Sequence, residues 1–235
     1  METMFLFMTI GAIGIGVHYA YANFRKKKVQ EVANRLGFKF SSYAGILNEL
    51  RQFPMTDQDH SKKAINCIEG EANGVTVRLL EYCYVVGRGR YQTPVSHTVA
   101  YLTSANCNFP CFQVRTKSFF DKLKNAIGGR KLSFTPEFDA RYVVQTNDEQ
   151  RTRMLFCDPV MRELMSQGRC IEAEGNGFVL YRPNYTASHT QLEDFLKDSI
   201  KMMMLLQSSV DNPAPATKEP EIVKGPDGRL RLARV

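Results

Sequence analysis

Apolar and polar positions divide the chain into three regimes. Residues 3–24 carry no Asp, Glu, Lys or Arg, a run of 22 positions. At about 1.5 Å per residue a helix of that run is roughly 33 Å long, enough to cross a hydrocarbon core of about 30 Å. From Val29 to Gln207 apolar residues recur at alternating helical and strand spacings, and after Gln207 the periodicity ends.

Val29, Val32, Ala33 and Leu36 follow a helical period that Gly37 stops. Tyr43, Ile46, Leu47 and Leu50 suggest a second short helix, and 54–63 reads as a polar loop. Asn73-Gly74 lies between the apolar runs 64–72 and 75–86, the strongest short hairpin signal. The second run has large side chains on both faces and reads as a central strand; strands at 95–103 and 110–116 continue a meander. Ser118 opens a helix that Gly128-Gly129 closes. Short strands at 132–134 and 140–145 and a helix at 148–156 follow, and Asp158-Pro159 starts a helix ending at Gly168. Runs 170–174 and 178–181 flank Gly175-Asn176-Gly177 as a hairpin. Thr190 and Glu193 form a capping box before a helix with Leu192, Phe195, Leu196, Met202, Met203 and Leu206 on its core side.

The predicted class is α+β, an antiparallel sheet meander with flanking helices preceded by one N-terminal transmembrane helix. The expected boundaries are a membrane anchor at 1–24, a basic juxtamembrane helical segment at 25–62, a cytoplasmic α+β domain at 63–207 and a disordered tail at 208–235.

Charge sets the orientation. A secretory signal carries its positive charge ahead of the apolar core, whereas here Arg25, Lys26, Lys27 and Lys28 follow it. The positive-inside rule keeps that cluster cytoplasmic. The expectation is a single-pass protein of the cell membrane, N-terminus outside and main domain cytoplasmic. Ala20-Tyr21-Ala22 is the competing signal, a cleavage site. The cluster supplies four of the net charge of +7, so the remainder is no nucleic-acid footprint. Six cysteines without a C-x-x-C read as free thiols in a cytoplasmic body. Cys107 and Cys111 lack a second pair, and no motif calls for a metal or cofactor.

Several residues are candidates for function. Ala12, Gly16 and Ala20 repeat small side chains every fourth position, which lets helices approach closely and suggests a homo-oligomer. Arg25, Lys26, Lys27 and Lys28 suit anionic lipid headgroups. The loop Gly87-Arg88-Gly89-Arg90 has too few glycines, and the wrong flanking elements, for a dinucleotide loop. Either Arg88, Arg90 and Tyr91 bind an anion, a lipid headgroup or a partner's acidic patch, or the loop is a glycine-rich turn with two solvated arginines. Cys83 and His97 fall symmetrically about residue 90, so a tight hairpin would set them opposite, as a thiolate and base. The plainer reading is a packed thiol beside a surface histidine. Glu172 and Glu174 alternate with Ile171 and Ala173, as on a half-exposed strand. Met202-Met203-Met204 reads as core filling, and the basic, apolar stretch 229–235 either as a motif that docks on a partner or on the membrane or simply as an untidy C-terminus.

The segment Ala33-Asn34-Arg35-Leu36-Gly37-Phe38-Lys39-Phe40, the Tyr82-Cys83-Tyr84 strand, the Pro-x-Phe-x-Val strand at 110–114 and the helix at 190–207 resemble those of a loosely defined group of bacterial membrane-anchored proteins with a domain of unknown function. The likeness covers most of residues 1–207. Members often have Asp before the Tyr-x-Tyr, where this chain has Glu81. The group carries no established activity, so the resemblance implies topology and domain extent alone. Together these signals lead to a membrane-tethered, non-catalytic binding or scaffold protein whose partners are the lipid bilayer, an unidentified protein and a second copy of itself. A lipid-headgroup sensor and a Cys–His thiol enzyme are the alternatives.

Overall fold

A computed structural model describes residues 2–56, 60–72, 74–87, 89–120, 129–211, 222–224 and 230–232. In the N-terminal helix the side chains are described from Gly16 onward, His18 excepted. In chain order the elements are α1 (Glu2–Leu36), β1 (Lys39–Tyr43), α2 (Leu47–Leu50), β2 (His60–Ala72), β3 (Val75–Val86), β4 (Thr93–Ser104), β5 (Phe109–Thr116), α3 (Lys117–Phe120) and β6 (Arg130–Leu132). Then come α4 (Pro136–Arg141), β7 (Tyr142–Thr146), α5 (Glu149–Leu155), α6 (Asp158–Gln167), β8 (Cys170–Gly175), β9 (Gly177–Tyr181), α7 (Leu192–Asp211), β10 (Ile222–Lys224) and β11 (Leu230–Leu232).

Nine strands form one open antiparallel sheet in the order β1-β2-β3-β4-β9-β8-β5-β7-β6. The Asn73-Gly74 hairpin is present, with Gly74 at φ 76° and Ala72 opposite Val75. The expected meander runs only from β1 to β4. The β8–β9 hairpin then inserts beside β4, and β5 takes its place beyond β8. Two further stretches are strand: β1, an edge strand with alternating exposure that takes in Tyr43, expected in a helix, and the start of β2, expected in the 54–63 loop. Asn66, at φ 50°, lies within the second of two register shifts along β2.

The 35-residue α1 ends in a Schellman motif. Gly37 is at φ 70°, the Gly37 N–H donates to Asn34 and the Phe38 N–H to Ala33. Val29, Val32, Ala33 and Leu36 are buried against the sheet, as their spacing predicts. Among the described residues no helix is long and apolar enough to cross a membrane. The side chains of residues 2–15, most of the uncharged run, lie outside that description.

Both faces of the sheet are covered. On one, α1, α5, α6 and α7 bury Val77, Leu79, Leu102, Phe112, Val114 and Leu180, with Met202 and Met203 of α7 filling the core. On the other, Ile46, Leu50, Phe53 and Met55 cover Leu80, Tyr82, Val99, Tyr101, Val179 and Tyr181. Gly168 closes α6 at φ 62°. The capping box ahead of α7 lies two residues earlier than the sequence suggests: the Ser188 N–H donates to Gln191 Oε1 at 3.0 Å. Beyond Lys117–Phe120 the helix expected from Ser118 lies outside the described residues. In the tail, predicted to be without structure, Ile222–Lys224 pairs with Leu230–Leu232; residues 229 and 233–235 of the stretch 229–235 lie outside the described residues.

Candidate functional site

Arg25 clasps α1 to the sheet. Its Nε donates to Glu81 Oε1 at 2.8 Å and its Nη2 to the Ala187 carbonyl at 2.8 Å, while Asn66 Nδ2 donates to the same Glu81 oxygen at 3.0 Å. Both charged side chains are nearly buried, at 13% and 8% exposure. This corrects the expectation that Arg25 reaches lipid headgroups, because its guanidinium is committed within the fold. Lys28 pairs with Glu31 at 2.7 Å and lies over the Phe24 ring. Lys26 and Lys27 are exposed. Gly16 and Ala20 are exposed too, and a Cβ at Gly16 would meet nothing within 4 Å; the Ala12 side chain lies outside the described residues.

The clasp fixes a direction. Arg25 lies at Glu81, whereas Phe38 packs on Gly70, which pairs with Val77. The C-terminal half of α1 therefore runs antiparallel to β3, and the helix leaves the sheet toward the β3–β4 connection. That connection is a projecting finger. β3 and β4 stay paired out to Val86 and Thr93, β2 accompanies them as far as His60 opposite Val85, and β9 stops at Val99. Gly87 turns at φ 91°, where a side chain would run into the Tyr91 carbonyl. Arg90 is exposed, Tyr91 is 82% exposed and Val86 40%. Arg88 lies outside the described residues.

Cys83 and His97 do not meet. Cys83 pairs with Ser96 and His97 with Tyr82, so the two side chains project from opposite faces of the sheet. The thiol sits 3.6 Å from Ser96 Oγ, and burial raises its pKa, the reverse of what a thiolate nucleophile needs. His97 is 1% exposed and is not a surface histidine. It stacks on Tyr181 at 5.5 Å and touches the rings of Tyr82 and Tyr84. Neither ring nitrogen has a hydrogen-bond partner among the described residues. Burial lowers its pKa to about 4, so the imidazole is neutral near pH 7.

A second polar centre went unread in the sequence. Glu172, expected on a half-exposed strand, is fully buried. Its Oε1 accepts from Arg115 Nη2 at 2.7 Å, Arg115 Nε at 3.1 Å and the Tyr181 hydroxyl at 2.8 Å; its Oε2 accepts from the Met55 N–H at 2.8 Å. Burial opposes the charge on Arg115, but the Glu172 carboxylate outweighs it and raises the guanidinium pKa. Burial likewise keeps the Tyr181 phenol protonated as a donor. The signal was there in outline: Cys111, Gln113 and Arg115 alternate with apolar residues on β5, as Glu172 and Glu174 do on β8. What hid it was the non-local pairing that faces Gln113 with Glu172.

A groove of about 610 Å³ opens between the end of α6 and the β9–α7 connection. Arg169 and Arg182 line it with Tyr185, Asp194 and Asp198. Arg169 bonds Asp198 at 2.5 Å and lies over the Phe195 ring, and Arg182 lies over Tyr185. The connection that forms one wall is held at the finger's base, where the Thr98 N–H donates to the Tyr185 carbonyl and the Ala187 N–H to Thr98 Oγ1. Clasp, finger and groove thus share one end of the sheet. The groove's mixture of guanidinium, carboxylate and phenol suits a polar ligand better than an acyl chain.

No family model and no curated protein matches the chain. A solved structure, that of the mycobacterial trehalose monomycolate transport factor A, TtfA, is similar at a TM-score of 0.54 and 13% identity, covering 82% of this chain and 98% of that one. At that identity the likeness is one of fold.

Proposed function

We propose that this chain is a membrane-tethered, non-catalytic binding protein of the cell membrane. Residues 1–24 cross the bilayer with the N-terminus outside, and the α+β domain binds its ligand at the cytoplasmic surface. The observation that carries this reading is the Arg25–Glu81 clasp. It stands directly after the 22-residue uncharged run, so the helix that enters the bilayer is rigidly continuous with the sheet. Tethering of this kind raises the local concentration of a binding site at the membrane. The polar groove at the same end offers a site for a lipid headgroup. The shared fold with a trehalose monomycolate transport factor supports a role connected with membrane lipids. The exposed small-residue face at Gly16 and Ala20 supports association of two anchors.

The test is topology. Spheroplasts of cells making the full chain with a C-terminal tag are treated with an impermeant protease, and membranes are extracted with carbonate. The reading requires a tag protected until lysis and a chain that stays with the membrane. A digested tag, or a shortened soluble species cut after Ala22, overturns it.

A further inference from the structure

We propose that the β3–β4 finger is a second membrane contact, with its tip lying in the headgroup region of an anionic bilayer beside the anchor. This rests on the tethered reading above and adds to it a defined docking face.

Direction comes first. The N-terminal part of α1 and the finger leave the sheet from the same level, that of Arg25 and Glu81, toward the same side. β3 continues five residues beyond Glu81, to Val86, before the chain turns at Gly87, so at about 3.3 Å per residue the paired strands reach roughly 16 Å past the clasp. The uncharged run ends at Phe24, next to the clasp. A bilayer entered by α1 at that point lies within the finger's reach.

The chemistry of the finger agrees. From Tyr82 to Thr103 no acidic residue occurs, and the only Lys or Arg residues are Arg88 and Arg90. Val86 and Tyr91 are exposed at the tip, and Arg90, next to Tyr91 in the chain, is exposed too. Exposed aromatic and aliphatic side chains beside arginine are what the membrane interface accommodates: rings sit at headgroup level and guanidinium groups extend to phosphate. On α1, Lys26 and Lys27 are exposed at the same end, so two separate elements present positive charge to one plane. That complementarity selects an anionic lipid surface as the occupant.

The chain contains no tryptophan, which gives a direct test on the full-length protein. Tyr91→Trp places a single fluorophore at an exposed position, and Tyr21→Trp places one in the anchor. Each variant is reconstituted into nanodiscs of phosphatidylglycerol or phosphatidylcholine, with or without lipids brominated near the headgroup. The proposal expects Tyr91→Trp to be blue-shifted and quenched in phosphatidylglycerol, with loss of quenching on adding Arg90→Glu or raising salt. Quenching of Tyr21→Trp without quenching of Tyr91→Trp overturns the finger contact and leaves the tether standing. Equal quenching of Tyr91→Trp in both lipids overturns the anionic preference. Quenching of neither fluorophore overturns both the contact and the tether beneath it.

Discussion

Arg115 and Glu172 form an ion pair at 2.7 Å with both side chains fully shielded from water. The carboxylate is saturated by four donors: two from Arg115, the Tyr181 hydroxyl and the Met55 N–H. It therefore ties β8 to β5, to β9 and to the segment that covers this face. Removing one partner of such a pair strands the other charge in the interior, at a cost of about 3–5 kcal/mol. Glu172→Gln is expected to lose stability on that scale in denaturant unfolding of the detergent-solubilised chain. Arg115→Met combined with Glu172→Leu is expected to recover most of it, because two apolar side chains leave no stranded charge. A double variant as unstable as Glu172→Gln alone would mean that the pair's hydrogen bonds, not its charge balance, hold the strands.

His97 makes stability depend on acid. Its pKa is about 4 in the fold, from burial, against an ordinary 6.5. Between those values the unfolded chain binds more protons than the native one, so stability falls as pH drops through this window. The shift corresponds to a loss of about 3 kcal/mol by pH 4. His97→Phe keeps an aromatic ring among Tyr82, Tyr84 and Tyr181 and removes the titration. The unfolding free energies of the two proteins, measured from pH 7 to pH 4, should diverge, with the variant the more stable in acid. Parallel curves would show that His97 is solvated and titrates normally.

What the sequence made legible was local. The Asn73-Gly74 hairpin, the glycine that ends α1 and the core face of α7 are written in a few neighbouring residues each. What it hid was non-local. Nothing near Ser104 indicates that β9, more than seventy residues on, pairs with β4, and that insertion breaks the expected meander. The same insertion buries Glu172, whose alternation with Ile171 and Ala173 looks half-exposed until the facing strand and the cover from Met55 are known. Cys83 and His97 failed by one residue of register: symmetry about position 90 makes them opposite, but the turn sets Cys83 against Ser96. A shift of one position sends a side chain to the other face of a sheet.

Gly70 is where β2 admits the Phe38 ring. A Cβ there would overlap the ring, and the ring cannot move outward without unseating the end of α1 at Leu36 and Phe38. Gly70→Ala is expected to destabilise the fold by about 1–3 kcal/mol, the usual range for overpacking. Phe38→Leu in the same chain should restore part of that loss. Thermal unfolding of the single and double variants reads this directly, and an unchanged Gly70→Ala midpoint would place Phe38 elsewhere.

Within the basic cluster 25–28, Arg25 is the residue bound into the fold. Arg25→Ala removes an ion pair and a carbonyl bond, leaving the nearly buried Glu81 with only the Asn66 amide of the three bonds that anchor this junction. Hydrogen bonds to charged groups contribute about 1.5–3 kcal/mol each, so the variant should lose about 2 kcal/mol or more. The loss should be local: amide exchange should rise along residues 25–36 of α1 and through the connection at Ala187, while β5 and β7 stay protected. Combining Arg25→Ala with Glu81→Ala should cost less than the sum of the two single changes, the mark of direct coupling. Lys26→Ala with Lys27→Ala, at exposed positions, should leave unfolding and exchange unaltered. If the lysine pair shifts stability as much as Arg25 does, the clasp is not the element that holds α1 to the sheet.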